Sequence, residues 1–168
     1  MKYAAEAAQR LVYTFDRVLN IPVALACFSN RETSCDIGYI KRWNTRGLPS
    51  HKIAYRFEKF TSWTAGNNDA DSVHWAWNQI RIRKESRKIL IVLSDGAPAG
   101  SYIGDSDAAL KFVTAAITKE GNVELYGVGI KSAAVKRYYK NWIHLKSEED
   151  INETLFTLIK EGDNVKRR

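Results

Sequence analysis

The chain is expected to fold as an α/β protein: a Rossmann-like, doubly wound and mostly parallel sheet with helices on both faces. Three observations predict it. Apolar runs of strand length alternate with segments of helical period along the 168 residues, the pattern of βα units. Those runs are continuously apolar rather than alternating, as in strands buried on both faces. The most central of them leads directly into a Gly/Pro-containing loop, which is where such sheets place their sites.

The elements follow in chain order. Ala4, Ala8, Leu11, Val12, Phe15, Val18 and Leu19 recur at helical spacing, predicting an amphipathic helix over 2–19 that Asn20 and Pro22 end. Residues 23–28 form a continuous apolar run, the pattern of a buried parallel strand. Residues 35–43 alternate loosely and predict a half-exposed edge strand, and 44–50, with Gly47 and Pro49, predict a loop. A short helix over 51–60 and a polar, turn-rich stretch over 61–69 come next. The following helix carries Val73, Ala76, Trp77 and Ile80 on one face and leads to a central strand over 88–93. A long loop, 94–107, precedes a helix marked by Ala109, Phe112, Val113, Ala116 and Ile117. A buried strand over 123–130, a short helix over 133–140, a last strand over 142–145 and a closing helix over 148–161 complete the series. With no internal repeat and no linker, 1–168 is expected to be a single domain.

Composition narrows the function classes. Hydrophobic residues make up 45% of the chain and charged residues 27%, ordinary for a globular protein. The longest apolar run, 21–28, falls far short of the roughly 20 residues that cross a bilayer, and no basic stub precedes a greasy run. No membrane association and a cytoplasmic location are the expectation. Cys27 and Cys35 are a lone pair without a histidine nearby, a poor zinc site and, in a reducing compartment, a pair of structural thiols. The net charge is +7, with basic clusters at 81–88, 136–140 and 166–168. Such clusters can hold nucleic acid or an acidic protein face, or sit against helix C-termini. A basic nucleic-acid-binding domain is therefore the alternative reading.

Catalysis has little to stand on. His51, His74 and His144 have no motif around them, and Gly127-x-Gly129 lacks the third glycine of a dinucleotide loop. The chemistry-bearing residues lie instead in two polar loops. Asp95 leaves a hydrophobic strand into a Gly/Pro turn, where a carboxylate can bind a hard cation or cap the turn. Asn67, Asn68 and Asp69 precede a helix and suit either an N-cap or oxygen ligation. Trp63 and Tyr102 are the aromatic residues of these loops expected to be exposed.

A strand ending Ser94-Asp95-Gly96, with a polar loop and an amphipathic helix before it, resembles the von Willebrand factor A (vWA) fold. That family binds Mg²⁺ in a metal-ion-dependent adhesion site (MIDAS) built from three loops: Asp-x-Ser-x-Ser, a Thr, and an Asp that Asp95 matches. The chain is more closely similar to the C-terminal domain of the cobaltochelatase T subunit (CobT-like). That domain's Asn-x-Asp loop into a Trp-Ala helix matches Asn67, Asp69, Trp75 and Ala76, and its Ser-Asp-Gly-Ala-Pro stands intact from Ser94 to Pro98. Its Gly-Ile-Gly and Arg-Tyr-Tyr motifs are echoed by Gly127, Gly129 and Arg137-Tyr138-Tyr139.

The resemblance implies a binding module rather than an enzyme, acting with a ring-forming AAA+ ATPase subunit (CobS-like) in cobalt insertion. It implies metal ligands at Asn67, Asp69 and Asp95, and partner contacts at Ser94, Gly96 and Tyr102. No Asp-x-Ser-x-Ser occurs in the chain, and Asn67 stands at the Thr position. In the family the first strand and that loop come directly before a helix like 2–19. The expectation is thus an N-terminally truncated vWA domain whose first central strand and principal metal loop are missing, with 23–28 and 88–93 flanking their place. Any Mg²⁺ site is expected to be weak or incomplete.

Overall fold

In the computed structural model, residues 2–31, 34–61, 66–100, 104–147 and 150 are described. Among them, four α-helices and five strands are ordered α1 (Lys2–Tyr13), β1 (Leu25–Arg31), β2 (Ser34–Lys41), α2 (Ser50–Thr61), α3 (Asp69–Arg81), β3 (Ile89–Ser94), α4 (Ser106–Glu120), β4 (Glu124–Ile130) and β5 (Asn141–Leu145). Apart from Asp150, the predicted closing helix over 148–161 lies outside the described residues, as do Trp63 and Tyr102.

The parallel sheet is β3-β4-β5, with β4 in the middle. Successive residues of β3 face opposite ways, as the strand's period of two requires. Val92 and Leu90 pack with α3 and α4 through Val73, Ile80, Leu110 and Ile117. Ile91 and Leu93 pack with α1 through Ala7, Leu11 and Phe15, beside Val128 and Ile130 of β4. Both faces are covered, which is why β3 and β4 carry no polar face in sequence.

Gly127 and Gly129 of β4 lie where a 3₁₀ turn, Ala134–Arg137, crosses back over the sheet. A Cβ at Gly127 would run into the Tyr139 ring, and one at Gly129 into the Ser132 carbonyl and Val135. The Gly-x-Gly spacing is a packing requirement of that close approach.

The run predicted as a parallel strand over 23–28 is corrected. β1 pairs antiparallel with β2, and the two form a sheet of their own. Only two residues separate them, and a parallel connection needs a crossover of a dozen or more. A continuous apolar run specifies burial and leaves the direction of the partner open. Near its end the strand also bonds to Gly66, in an antiparallel bridge with Asn30. β1 contacts the parallel sheet through side chains: Leu25 and Cys27 join Leu93, α1 and α2 in one apolar cluster. Phe112, one of the apolar residues that mark α4, is 73% exposed. α4 itself is bounded as designed helices are, with the Asp105 carboxylate accepting from the Asp107 and Ala108 amides and Gly121 left-handed at its end.

Helix α1 continues into a π-helical turn, Thr14–Val18, which brings Asp16 inward beside Phe15. Asp16 accepts from the Gly47 amide at 2.7 Å and lies 3.4 Å from the Lys41 ammonium and 3.6 Å from Arg46. Lys41 is fully buried and also donates to the Val23 carbonyl at 2.8 Å. Burial holds its amine below the usual lysine range, and Asp16 opposes that shift. The pair joins the end of α1 to β2 and to the loop before α2. Removing one partner strands the other charge in the core. Asp16→Ala is therefore expected to lower unfolding free energy by about 3–5 kcal/mol in urea denaturation, whereas a loss below about 1 kcal/mol would mean the pair is solvated.

Candidate functional site

Three chain segments meet beyond the carboxyl end of β3: the end of β1, the loop before α3, and the turn after Ser94. Their polar residues interlock. The Asn30 amide donates to Asn68 Oδ1 at 3.5 Å, and the Ser29 hydroxyl donates to the Gly66 carbonyl at 3.1 Å. Gly66 and Gly100 both approach these amides so closely that a Cβ on either would collide, Gly66 with Asn30 and Gly100 with Asn68 and Asn30. Asn68 is buried at the N-cap of α3 and makes no side-chain capping bond; its carbonyl receives the Ser72 amide and, at 2.6 Å, the Ser72 hydroxyl.

Asp69 opens α3 and is 1% exposed. The positive end of the helix dipole favours a carboxylate there, while burial disfavours its charged form. Burial wins: it pushes the Asp69 carboxyl up to about 6, with the nearby Asp95 charge adding to the rise and the Asn67 hydrogen bond opposing it. Asn67 Nδ2 donates to Asp69 Oδ2 at 2.6 Å and reaches the Ala97 carbonyl at 3.4 Å. Asp95 is exposed on the turn that follows β3. Ser94 is buried, and its hydroxyl donates to the Gly96 carbonyl at 3.1 Å, holding that turn closed. At Gly96 an added Cβ would meet open space.

The structure thus brings Asn67, Asp69 and Asp95 together, with Ser94 and Gly96 on the same turn; Tyr102 lies outside the described residues. Asn30, which no sequence motif singled out, is part of the assembly. Its position as a polar residue at the end of an apolar strand was the available signal.

Two carboxylates and one amide form the donor set, and among the described residues no three His, Cys, Asp or Glu side chains converge as metal ligands. A divalent cation beside Asp69 would offset the penalty that burial places on its carboxylate. The Asn67 amide presents its nitrogen to Asp69, so it must turn over to offer its oxygen. Such a set meets the octahedral demand of Mg²⁺ only in part.

The other predicted features are also located. Cys27 and Cys35 are free, and burial pushes the Cys27 thiol up to about 12, so it is inert at neutral pH. His74 lies exposed on α3, within reach of Asn78 at 3.2 Å. No helix among the described residues is long and apolar enough to cross a membrane.

Residues 58–161 match the family described as the cobalamin biosynthesis protein CobT VWA domain. The fold is also similar to a crystal structure of the pilus adhesin SpaC from Lactobacillus rhamnosus GG, with a TM-score of 0.65 and 11% identity. The alignment covers 94% of this chain and 27% of that one. At that identity the likeness is one of fold alone.

The elevated Asp69 carboxyl has a measurable consequence. Raised from 3.8 to about 6, it keeps its proton in the folded state over a range where the unfolded chain has lost it. Stability therefore falls as pH rises from about 4 to 6, by about 3 kcal/mol in all. An asparagine at this position does not titrate. Asp69→Asn, denatured with urea in chelator, should gain stability relative to wild type as pH goes from about 4 to 7, by roughly that amount. A difference that stays constant with pH would mean that Asp69 titrates normally.

Proposed function

The chain belongs to the family of the cobalamin biosynthesis protein CobT VWA domain, and on that premise we propose that it is a metal-dependent protein–protein interaction module working with a AAA+ ATPase partner in a cobaltochelatase-like complex. In this reading it is not itself a catalyst, and it works in the cytoplasm. The observation that carries the proposal is the meeting of Asn67, Asp69 and Asp95 at one end of the parallel sheet, with Asp69 buried and its neighbour Asp95 exposed.

Asn67, Asp69 and Asp95 would hold Mg²⁺. When bound, the cation supplies positive charge and open coordination positions to which a partner carboxylate can bind. The chain's own residues do the rest. Asp69 is fixed at the first turn of α3, so its oxygens are placed in advance, and Asn67 turns its amide over to bring its oxygen to the ion. Ser94 closes the turn that carries Asp95 outward. The partner contact centres on Gly96 and Tyr102, with the buried Ser94 shaping the turn beneath them; Gly96 leaves room for an incoming backbone or side chain.

Two measurements test this. Thermal denaturation with Mg²⁺ should show little shift until the ion is about millimolar, since stabilisation follows the ratio of ligand to Kd. A submicromolar site would contradict so sparse a donor set. In a pull-down against a AAA+ ATPase encoded by a neighbouring gene, wild type should bind in Mg²⁺ and release in chelator. Asp95→Ala should lose binding while keeping its melting temperature, because an exposed turn carboxylate carries little packing. Equal capture of wild type and Asp95→Ala, unaffected by chelator, would overturn the proposal.

A further inference from the structure

A second surface shares no residue with the group around Asp95. A groove of about 450 Å³ runs between α4 and the segment that links the 3₁₀ turn to β5. Four cations border it: Lys111 and Lys119 from α4, and Arg137 and Lys140 from the facing segment. Its floor is less polar, made by Ala115, the methyl-bearing Thr114 and Thr118, and Tyr138.

One carboxylate organises the near end. Asp107 binds Lys111 at 2.5 Å and Arg137 at 2.9 Å, and accepts from the Tyr138 hydroxyl at 2.7 Å. A single negative charge thus fixes two of the four positive ones. Lys119 and Lys140, at the other end, are exposed and enter no ion pair among the described residues. The groove carries a net surplus of positive charge in a chain whose overall balance is +7. Beside it on α4 stands Phe112, 73% exposed and three residues from Ala115, so the two are neighbours on the helix surface. A ring so open next to a basic bay has no role in the core.

We propose that this groove receives an acidic segment of a partner protein, with side-chain carboxylates on Lys119 and Lys140 and an apolar side chain against Phe112. The charge selects the sign of the occupant, and the apolar floor and ring select a peptide over a polyphosphate. Bases stack on open aromatic faces; at the groove that leaves them Phe112, while the described tryptophans already have companions. Arg83 lies over Trp43 at 5.1 Å, Arg81 over Trp77 at 5.1 Å and Lys136 over Trp142 at 5.6 Å, while Trp75 packs against Tyr39 with ring centroids 5.2 Å apart.

The test is fluorescence anisotropy on the whole chain with a fluorescein-labelled glutamate-rich peptide bearing leucines at helical spacing, in chelator. An oligothymidylate of matching charge serves as the second probe. Saturable peptide binding is expected. Lys119→Glu with Lys140→Glu should weaken it at least about tenfold, with an unchanged melting temperature. Phe112→Ala should weaken it by a smaller factor. A control pair with the same net charge, Lys52→Glu with Lys59→Glu, both exposed on α2, which packs on α1 and β2, should change it by less than about twofold, because charges away from the groove are screened by salt. The proposal is overturned if both charge-reversed pairs lose affinity equally, if the peptide does not saturate, or if oligothymidylate binds more tightly with the same dependence on Lys119 and Lys140. Asp95 takes no part in this assay, so its failure and that of the cation-dependent contact are separately visible.

Discussion

A carboxylate buried at the first turn of α3 sets the terms for one end of this molecule. Asp69 is held at a helix N-terminus, which favours its charge, and is shut away from water, which opposes it. That conflict is tolerable only if the neighbouring loops stay in place. Asn67 donates to it, and the adjoining Asn68 is locked to Asn30. Gly66 and Gly100 allow the backbones close enough to seal the assembly. The turn after β3, held by Ser94, completes the wall and presents Asp95 outward. An arrangement that keeps an anion dry beside a second anion is one that a cation would relieve.

Much of the architecture was legible in the sequence because period and burial are coupled. The helical spacing of Ala8, Leu11 and Phe15 marked the face of α1 that packs inward. The unbroken apolar run of β3 marked a strand with helices on both sides, and Ile91 and Val92 do face opposite clusters. Asn67, Asp69 and Asp95 were legible because the resemblance of their loops to the CobT-like motifs points to them, whereas the residues alone left capping and cation binding both open. Other features depend on partners that are distant in the chain. The apolar content of 23–28 could not reveal that β1 would turn back along β2. Phe112 matched the helical pattern yet faces solvent, since the stripe on α4 is completed without it. Asn30 and the depth of Asp69 follow from three segments meeting, which no local pattern encodes.

The chain separates what holds it together from what it offers to others. The Lys41–Asp16 pair and the clusters on either face of β3-β4-β5 are buried and answer to packing. The Asp95 turn and the groove along α4 are exposed, one acidic and the other basic. Several cations elsewhere among the described residues are engaged by rings or carboxylates, such as Arg83 with Glu85 and Trp43, or Arg87 with Glu124. Part of the positive balance is therefore already committed.

Paramagnetic broadening of backbone amide resonances by Mn²⁺, which shares the oxygen-donor preference of Mg²⁺, addresses the central claim directly by locating the ion on the chain. At about millimolar Mn²⁺, in keeping with so sparse a donor set, the account predicts loss of signal confined to the amides of Asn67, Asp69, Asp95 and their immediate neighbours, reversed by excess Mg²⁺. Broadening centred on any other part of the molecule, or none at these residues, would contradict it.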